Sequence, residues 1–249
     1  MDETTWQTRR LSFGDVADVY DRSRPDYPAA AVGWLAGDIP RRVLDLGAGT
    51  GKLTRMLVDA GHEVVAVEPS AGMRSALRAG VPGAEVLDGA AEDIPLPGGS
   101  VDVVVAAQAY HWFDRVRALP EIARVLRPGG VLGLIWNQRD DGEPWVAALW
   151  ALLGEHPSER HREGAPALAP PFGPVEAATF PHRQALDLGG LLDLVRSRSY
   201  VATLADAERT GLLERITELT RTHPDLAGRR QFGLPYVTEA YRAVRLPSG

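Results

Sequence analysis

Asp45, Glu68 and the alternating glycines Gly47, Gly49 and Gly51 are the residues of this chain whose types and spacing could do chemistry first. The glycines stand in VLDLGAGTGKLT, residues 43–54, where an apolar stretch gives way to helical text. Val43, Leu44 and Leu46 read as a short buried strand, and the glycines after it supply backbone that takes φ > 0 and lets a ligand come close. A helix starting near Gly51, with Thr50 as its expected cap, would turn free N–H groups toward that ligand.

Two neighbours narrow the ligand. A dinucleotide turn wants Gly or Ala three places after its second glycine, for close helix-to-strand packing, and this chain has Lys52 there. Asp45 would also set a carboxylate against a doubly charged pyrophosphate. S-adenosylmethionine suits the turn better: it brings an ammonium and a sulfonium, and its carboxylate can use the helix N-terminus. A second apolar strand, residues 63–68, ends on Glu68, where an acid can hold ribose hydroxyls. Pro69 follows, and Met73 either lies against adenine or packs its own helix, as Met commonly does.

The elements that must position these residues alternate. Strands are expected at 42–46, 63–68, 85–87, 101–106 and 131–136, and helices at 51–60, 71–79 and 115–126. This is the text of an α/β fold, a Rossmann-like doubly wound sheet. In the last of those helices Leu119, Ile122 and Leu126 repeat at helical spacing, so one stripe packs on the sheet while Arg117, Glu121 and Arg124 face elsewhere. Ligands of such sheets bind beyond the strand C-termini, where Gly47, Gly51, Glu68, Gln108, Trp112 and Asn137 would converge. Beyond Asn137 the alternation loosens. Helical text at 191–197 and 205–222 interrupts it, and residues 156–174 are expected to be mobile or to order on ligand binding.

Four segments in order, spanning residues 43–137, resemble a class I S-adenosylmethionine-dependent methyltransferase of the methyltransferase-11-like, small-molecule kind. They are VLDLGAGTG, VVAVEPS, GAAEDIPLPGGSVDVVV and RVLRPGG. The resemblance implies a seven-stranded sheet, mostly parallel with one antiparallel strand, completed by a hairpin for which 179–188 and 236–244 are the candidates, with a helical lid. It implies a single methyltransferase domain over 1–249, with a cofactor-covering segment at 1–40, the binding core at 41–137, and the lid and completing strands at 138–249. It also implies the cofactor contacts: Tyr20, Arg24, Asp45, Gly47, Ala48, Gly49, Gly51, Glu68, Pro69, Met73, Ala91, Glu92 and Gln108. Relatives place Asp before Ala-Glu in the adenine loop, whereas this chain has Ala90, which shifts adenine recognition to Glu92 or to backbone near Ala91. In FGDVADVYDRSRPDYP, which resembles the family's leading helix, Arg24 is expected to pair with the cofactor carboxylate and Tyr20 to pack on its methionine part. The plain alternative is a solvated arginine and a tyrosine packed on the sheet.

The acceptor side follows the fourth strand, at QAYHWF, residues 108–113. His111 is the candidate catalytic base, since free imidazole titrates near about pH 6.5; it could equally orient the loop. Trp112, Asn137 and Tyr200 are the further substrate candidates, with Tyr236 beside them, and each has packing as its alternative. Methyl transfer asks little acid/base chemistry of a protein, because the sulfonium is already activated and alignment does most of the work. The product would be S-adenosyl-L-homocysteine. Other readings are a non-catalytic cofactor-binding scaffold and a cyclase that uses the sulfonium charge without methyl transfer.

Composition limits the partners. The net charge of −6 on 249 residues gives no basic footprint for nucleic acid, so a small-molecule acceptor is expected. No apolar run reaches membrane-spanning length, and MDETTWQTRR lacks signal-peptide order, so the expectation is a cytoplasmic protein, monomeric or homodimeric. With no cysteine there is neither disulfide nor thiolate chemistry, and no metal site is expected: His156 and His161 lack a zinc-helix pattern. Lys52 is the only lysine among 27 basic residues, a bias that suggests a GC-rich bacterial genome.

Overall fold

The computed structural model describes residues 23–154, 165–168 and 170–247. Tyr20, His156, His161 and most of the expected leading helix lie outside them.

Strands β1 (Arg42–Leu46), β2 (Glu63–Val67), β3 (Glu85–Leu87), β4 (Val101–Ala107), β5 (Leu126–Arg139), β6 (Glu176–Leu186) and β7 (Phe232–Val244) form one sheet in the order β3-β2-β1-β4-β5-β7-β6. Pairing is parallel from β3 through β5, and β7 runs antiparallel between β5 and β6. The expected sheet is therefore present. Its central strands are runs such as VDVVVAA, apolar on both sides because helices cover both faces.

Those helices are α1 (Ala29–Ala36), α2 (Lys52–Asp59), α3 (Ala71–Gly80), α4 (Arg115–Val125), α5 (Pro144–Leu153), α6 (Leu188–Arg196), α7 (Ser199–Ala202) and α8 (Asp206–Thr222). On one sheet face Leu44, Leu46, Val104, Leu132 and Leu134 pack with Leu119 and Ile122 of α4. On the other, Val43, Val103 and Ile135 pack with Leu35 of α1 and Leu53 and Leu57 of α2. A separate apolar cluster joins Trp145, Leu149 and Trp150 of α5 to Leu191 of α6, Ile216 of α8, and Leu234 and Tyr236 of β7. The helices after β5 thus sit on the β6–β7 hairpin.

Several boundaries differ from expectation for physical reasons. Thr50 does not cap α2: the residue before the helix is Gly51, left-handed at φ 91°, with no side-chain cap. Helices α1 and α5, with the texts AAAVGWLA and PWVAALWALL, are apolar nearly all round and so carry no amphipathic stripe. Strand β5 runs past Trp136 because β7 supplies partners for the polar residues Asn137, Gln138 and Arg139. Leu188 belongs to α6 and not to the hairpin, since the Asp187 carboxylate accepts from the Gly190 N–H at 2.8 Å and starts the helix there.

Candidate active site

The turn from β1 into α2 is stitched to the end of β2. The N–H groups of Gly47 and Ala48 donate to the Val67 carbonyl at 2.8 and 3.2 Å. Gly47, Gly49 and Gly51 all take positive φ, at 73°, 58° and 91°. The three glycines answer different demands. A Cβ on Gly47 would meet the Ala109 Cβ at 2.8 Å, and one on Gly51 would meet Leu77 at 2.9 Å, so both are crowded by the protein itself. Among the described residues, a Cβ on Gly49 would meet only the Met73 sulfur, at 3.9 Å. Of the three glycines, Gly49 is the one beside which the described residues leave room.

Glu68 is 6% exposed and grips this place. One carboxylate oxygen accepts from the Gly49 N–H at 3.0 Å, the other from the Ser70 N–H at 2.8 Å. A carboxylate oxygen has two lone-pair directions, so accepting one N–H does not by itself exclude a ligand hydroxyl. Sequence reasoning found this acid but not its first job, which is to hold the glycine turn against β2. Ser70 caps α3, accepting from the Met73 N–H at 3.5 Å, and so fixes Met73 beside Gly49.

Asp45 is 1% exposed. One of its oxygens accepts from the Thr54 hydroxyl at 2.6 Å, and the other is buried without a hydrogen bond among the described residues. Burial raises its pKa to about 7; the Glu68 charge adds to the rise and the Thr54 bond opposes it. A buried acid short of one partner suits a cationic ligand group.

The adenine-loop candidates follow β3. Ala91 is buried, and Glu92 accepts from the Asp114 N–H at 2.8 Å, at the cap of α4. Glu121 and Arg124, which face away from the α4 stripe, brace this loop. Glu121 accepts from the Ile94 N–H at 3.0 Å, and Arg124 donates to the Ile94 and Leu96 carbonyls at 2.8 and 2.7 Å. The Arg124 guanidinium beside Glu121 holds that carboxyl below its ordinary pKa.

At the end of β4, Gln108 has φ 54°, the one positive φ outside glycine among the described residues. Its N–H donates to the Ile135 carbonyl at 3.0 Å and its side-chain amide to the Asn137 carbonyl at 3.2 Å, which together pin the left-handed kink. Such strain collects at functional turns. Gln108→Val, β-branched at a position of positive φ, is expected to lose about 1–3 kcal/mol of stability, whereas Gln108→Asn stays within about 0.5 kcal/mol. Urea unfolding of the two variants checks this; equal losses would mean that the kink is not what matters.

After the kink, Tyr110–Trp112 form a 3-10 turn. His111 is exposed there, its ring centroid 4.8 Å from that of Trp112. The kink brings this turn to the glycine loop, with Ala109 and Phe113 lying against Gly47.

Asn137 braces rather than hangs free. Its amide donates to the carbonyls of Pro25 and Asp26, both at 3.2 Å, and its oxygen accepts from the Thr238 hydroxyl at 2.6 Å. Lys52 pairs with Asp26 at 2.8 Å, and Gln184 donates to the Ser23 carbonyl at 2.8 Å. The segment before α1 is thus tied to the rim from three directions, which places half-buried Arg24 beside it. Tyr200, in α7, packs half-buried against the apolar cluster of α5, α6 and α8.

The profile described as "Methyltransferase domain" matches residues 44–134. An uncharacterized methyltransferase of Mycobacterium tuberculosis is 48% identical over 239 residues, covering 94% of this chain and 96% of its own. A methyltransferase-like protein of Schizosaccharomyces pombe is 34% identical over 249 residues, covering 94% and 95%. Among solved structures, a protein described as a type II methyltransferase of Anaeromyxobacter dehalogenans superposes with a TM-score of 0.67 at 31% identity, covering 90% of this chain and 99% of that one. Likeness along nearly the whole length, carried by a sheet whose rim gathers the glycine turn, Asp45 and Glu68, means that this chain belongs to the methyltransferase family.

Proposed function

We propose that this methyltransferase takes its methyl group from S-adenosylmethionine held over residues 47–51 and passes it to an O, N or C nucleophile of a small metabolite. The observation that carries the reading is the space that the described residues leave at Gly49, bordered by Met73 and by the Glu68 carboxylate, with Asp45, one of whose oxygens has no hydrogen bond among the described residues, close by in sequence. Glu68 would accept the ribose hydroxyls, Met73 would lie on the adenine, and Asp45 would answer the ammonium. Arg24 would hold the carboxylate, and Ala91 and Glu92 would border the base. Tyr20, outside the described residues, remains part of the proposed cover.

The cofactor, when bound, would supply an activated methyl group on a positive sulfur, with S-adenosylhomocysteine as the product left after transfer to the nucleophile. The chain's own task is alignment and exclusion of water. Gln108 and the 3-10 turn would form the wall nearest the transfer, with His111 as acceptor of the nucleophile's proton and Trp112 beside it. The helices packed on the β6–β7 hairpin would cover the acceptor, which supports a small substrate, and the net charge of −6 speaks against a nucleic acid. No helix among the described residues is long and apolar enough to cross a membrane. A cytoplasmic, monomeric or homodimeric enzyme completes the proposal.

The test is incubation of the full chain with methyl-labelled S-adenosylmethionine and a bacterial metabolite extract, followed by mass spectrometry of small and large fractions. Label in a small metabolite is expected. Label confined to protein or nucleic acid would overturn the acceptor class.

A further inference from the structure

Beyond the cofactor turn, one row of side chains crosses the end of the hairpin. Arg139 of β5 is in register with Tyr236 of β7, and Tyr236 with His182 of β6, so the three share a sheet face across roughly 10 Å of backbone. The His182 ring stacks on Tyr236 at 5.6 Å. Gln184 lies two residues along β6 on the same face, and the paired Asn137 and Thr238 lie two residues from Arg139 and Tyr236 on that face. From above, α5 contributes Trp150, which is 7% exposed. The guanidinium of Arg139 lies 4.9 Å from the Trp150 ring centroid, and that of buried Arg198 lies 4.1 Å from it.

This row is under-satisfied. The Arg139 Nε, the Trp150 indole N–H, the His182 Nε2 and the Gln184 Oε1 are all buried without a hydrogen-bond partner among the described residues. The Arg139 side chain has its contact with the Trp150 ring, and its Nε has no hydrogen-bond partner among the described residues. The Arg139 guanidinium thus lies against a buried indole with its Nε unbonded among the described residues, and an anion beside it would offset its charge.

Proton bookkeeping sets the other end. The Thr238 hydroxyl gives its proton to Asn137, whose amide nitrogen is committed to two carbonyls. The His182 Nδ1, 3.3 Å from that hydroxyl, must therefore be the donor. In the neutral ring Nε2 is then an acceptor. Burial favours the neutral ring, outweighing the Phe180 and Asp26 carbonyls and the Asp26 charge, which favour protonation. The row thus presents donors at Arg139 and Trp150 and acceptors at His182 and Gln184.

We infer that Arg139, Trp150, His182 and Gln184 form the acceptor subsite, built for a small anion whose oxyanion group sits on Arg139 and Trp150 while a hydroxyl or amino group donates to His182 and Gln184. This rests on the methyltransferase reading and narrows its substrate class. Carboxylate and phosphate share the required chemistry. The subsite adjoins the transfer wall because Arg139 follows Asn137 on β5, and the Gln108 amide holds the Asn137 carbonyl.

The test uses the full chain with S-adenosylhomocysteine present, and malate, glycerol 3-phosphate and neutral malamide as probes in calorimetry and thermal unfolding. One of the two anions is expected to bind saturably, at least tenfold more tightly than malamide, and which one does so tells carboxylate from phosphate. Arg139→Gln should weaken it at least tenfold, and Trp150→Phe, which keeps the ring but loses the N–H, several-fold, with S-adenosylhomocysteine affinity within twofold of the parent. Binding of neither anion, equal binding of malamide, or indifference to both substitutions would overturn the subsite. In the labelled-methyl reaction, an extract stripped of anions on an exchange resin should lose its acceptor, and label transfer to the stripped extract would also overturn it. Arg139-dependent anion binding without label transfer to any extract would leave the subsite standing and remove the methyl-transfer reading instead.

Discussion

Asp45→Asn is expected to make the protein more stable and a poorer binder of S-adenosylmethionine. The Asp45 pKa of about 7 in the folded chain lies above its ordinary 3.8, so the folded state holds the proton more tightly than the unfolded state does. Stability from this group is then fully present at low pH, falls as pH rises between about 4 and 7, and stays low above that window. Asparagine removes the charge while its carbonyl can still accept from Thr54. The gain should be largest at pH 8, on the order of 2–4 kcal/mol, and should shrink toward pH 4. Binding runs the other way. A cation beside the carboxylate draws its pKa down, so cofactor affinity in the parent chain should rise with pH up to about 7, with proton release on binding. The variant should bind at least tenfold more weakly and lose that pH dependence. Urea unfolding at pH 5 and pH 8, with calorimetry in buffers of different ionisation enthalpy, reads both halves. A variant no more stable at pH 8 than at pH 5, relative to the parent, would mean that the buried carboxylate is not strained.

Glu68→Ala has the other large effect, and there stability and binding fall together. The substitution removes the acceptor for the Gly49 and Ser70 N–H groups as well as the proposed ribose contact. Each orphaned buried donor costs about 1–3 kcal/mol, so a loss of roughly 3 kcal/mol in stability is expected, with at least a hundredfold loss in cofactor affinity. Glu68→Gln keeps one accepting oxygen and should recover about half of the stability. Unfolding curves and calorimetry on both variants separate the roles. Undiminished stability in Glu68→Ala would mean that water replaces the carboxylate at the turn.

The parallel half of the fold was legible because its signals are local. The glycine turn, the acid after β2 and the apolar runs of β1, β2 and β4 each declare themselves within a few residues, and the ends fall within a residue or two. Helices α1 and α5 were not legible, since their text is apolar on nearly every side and lacks a period. The acceptor side was harder for a different reason. Arg139, Trp150, His182 and Gln184 come from β5, α5 and β6, and only the antiparallel register of β7 brings the strands together. The β6 text TFPHRQAL shows alternation, yet nothing in it says that His182 will stack on a tyrosine from a strand more than 50 residues later. Nor does the sequence reveal that Asn137 is committed to Pro25, Asp26 and Thr238, or that Glu68 holds Gly49; both bonds depend on pairing between distant segments.

A crystal structure of the chain with S-adenosylhomocysteine tests the central claim most directly. The account predicts ribose hydroxyls on the Glu68 carboxylate, adenine against Met73, the amino group on the side of Asp45, and the sulfur turned toward Gln108 and the 3-10 turn. S-adenosylhomocysteine bound elsewhere, or with its ribose away from Glu68, would contradict it.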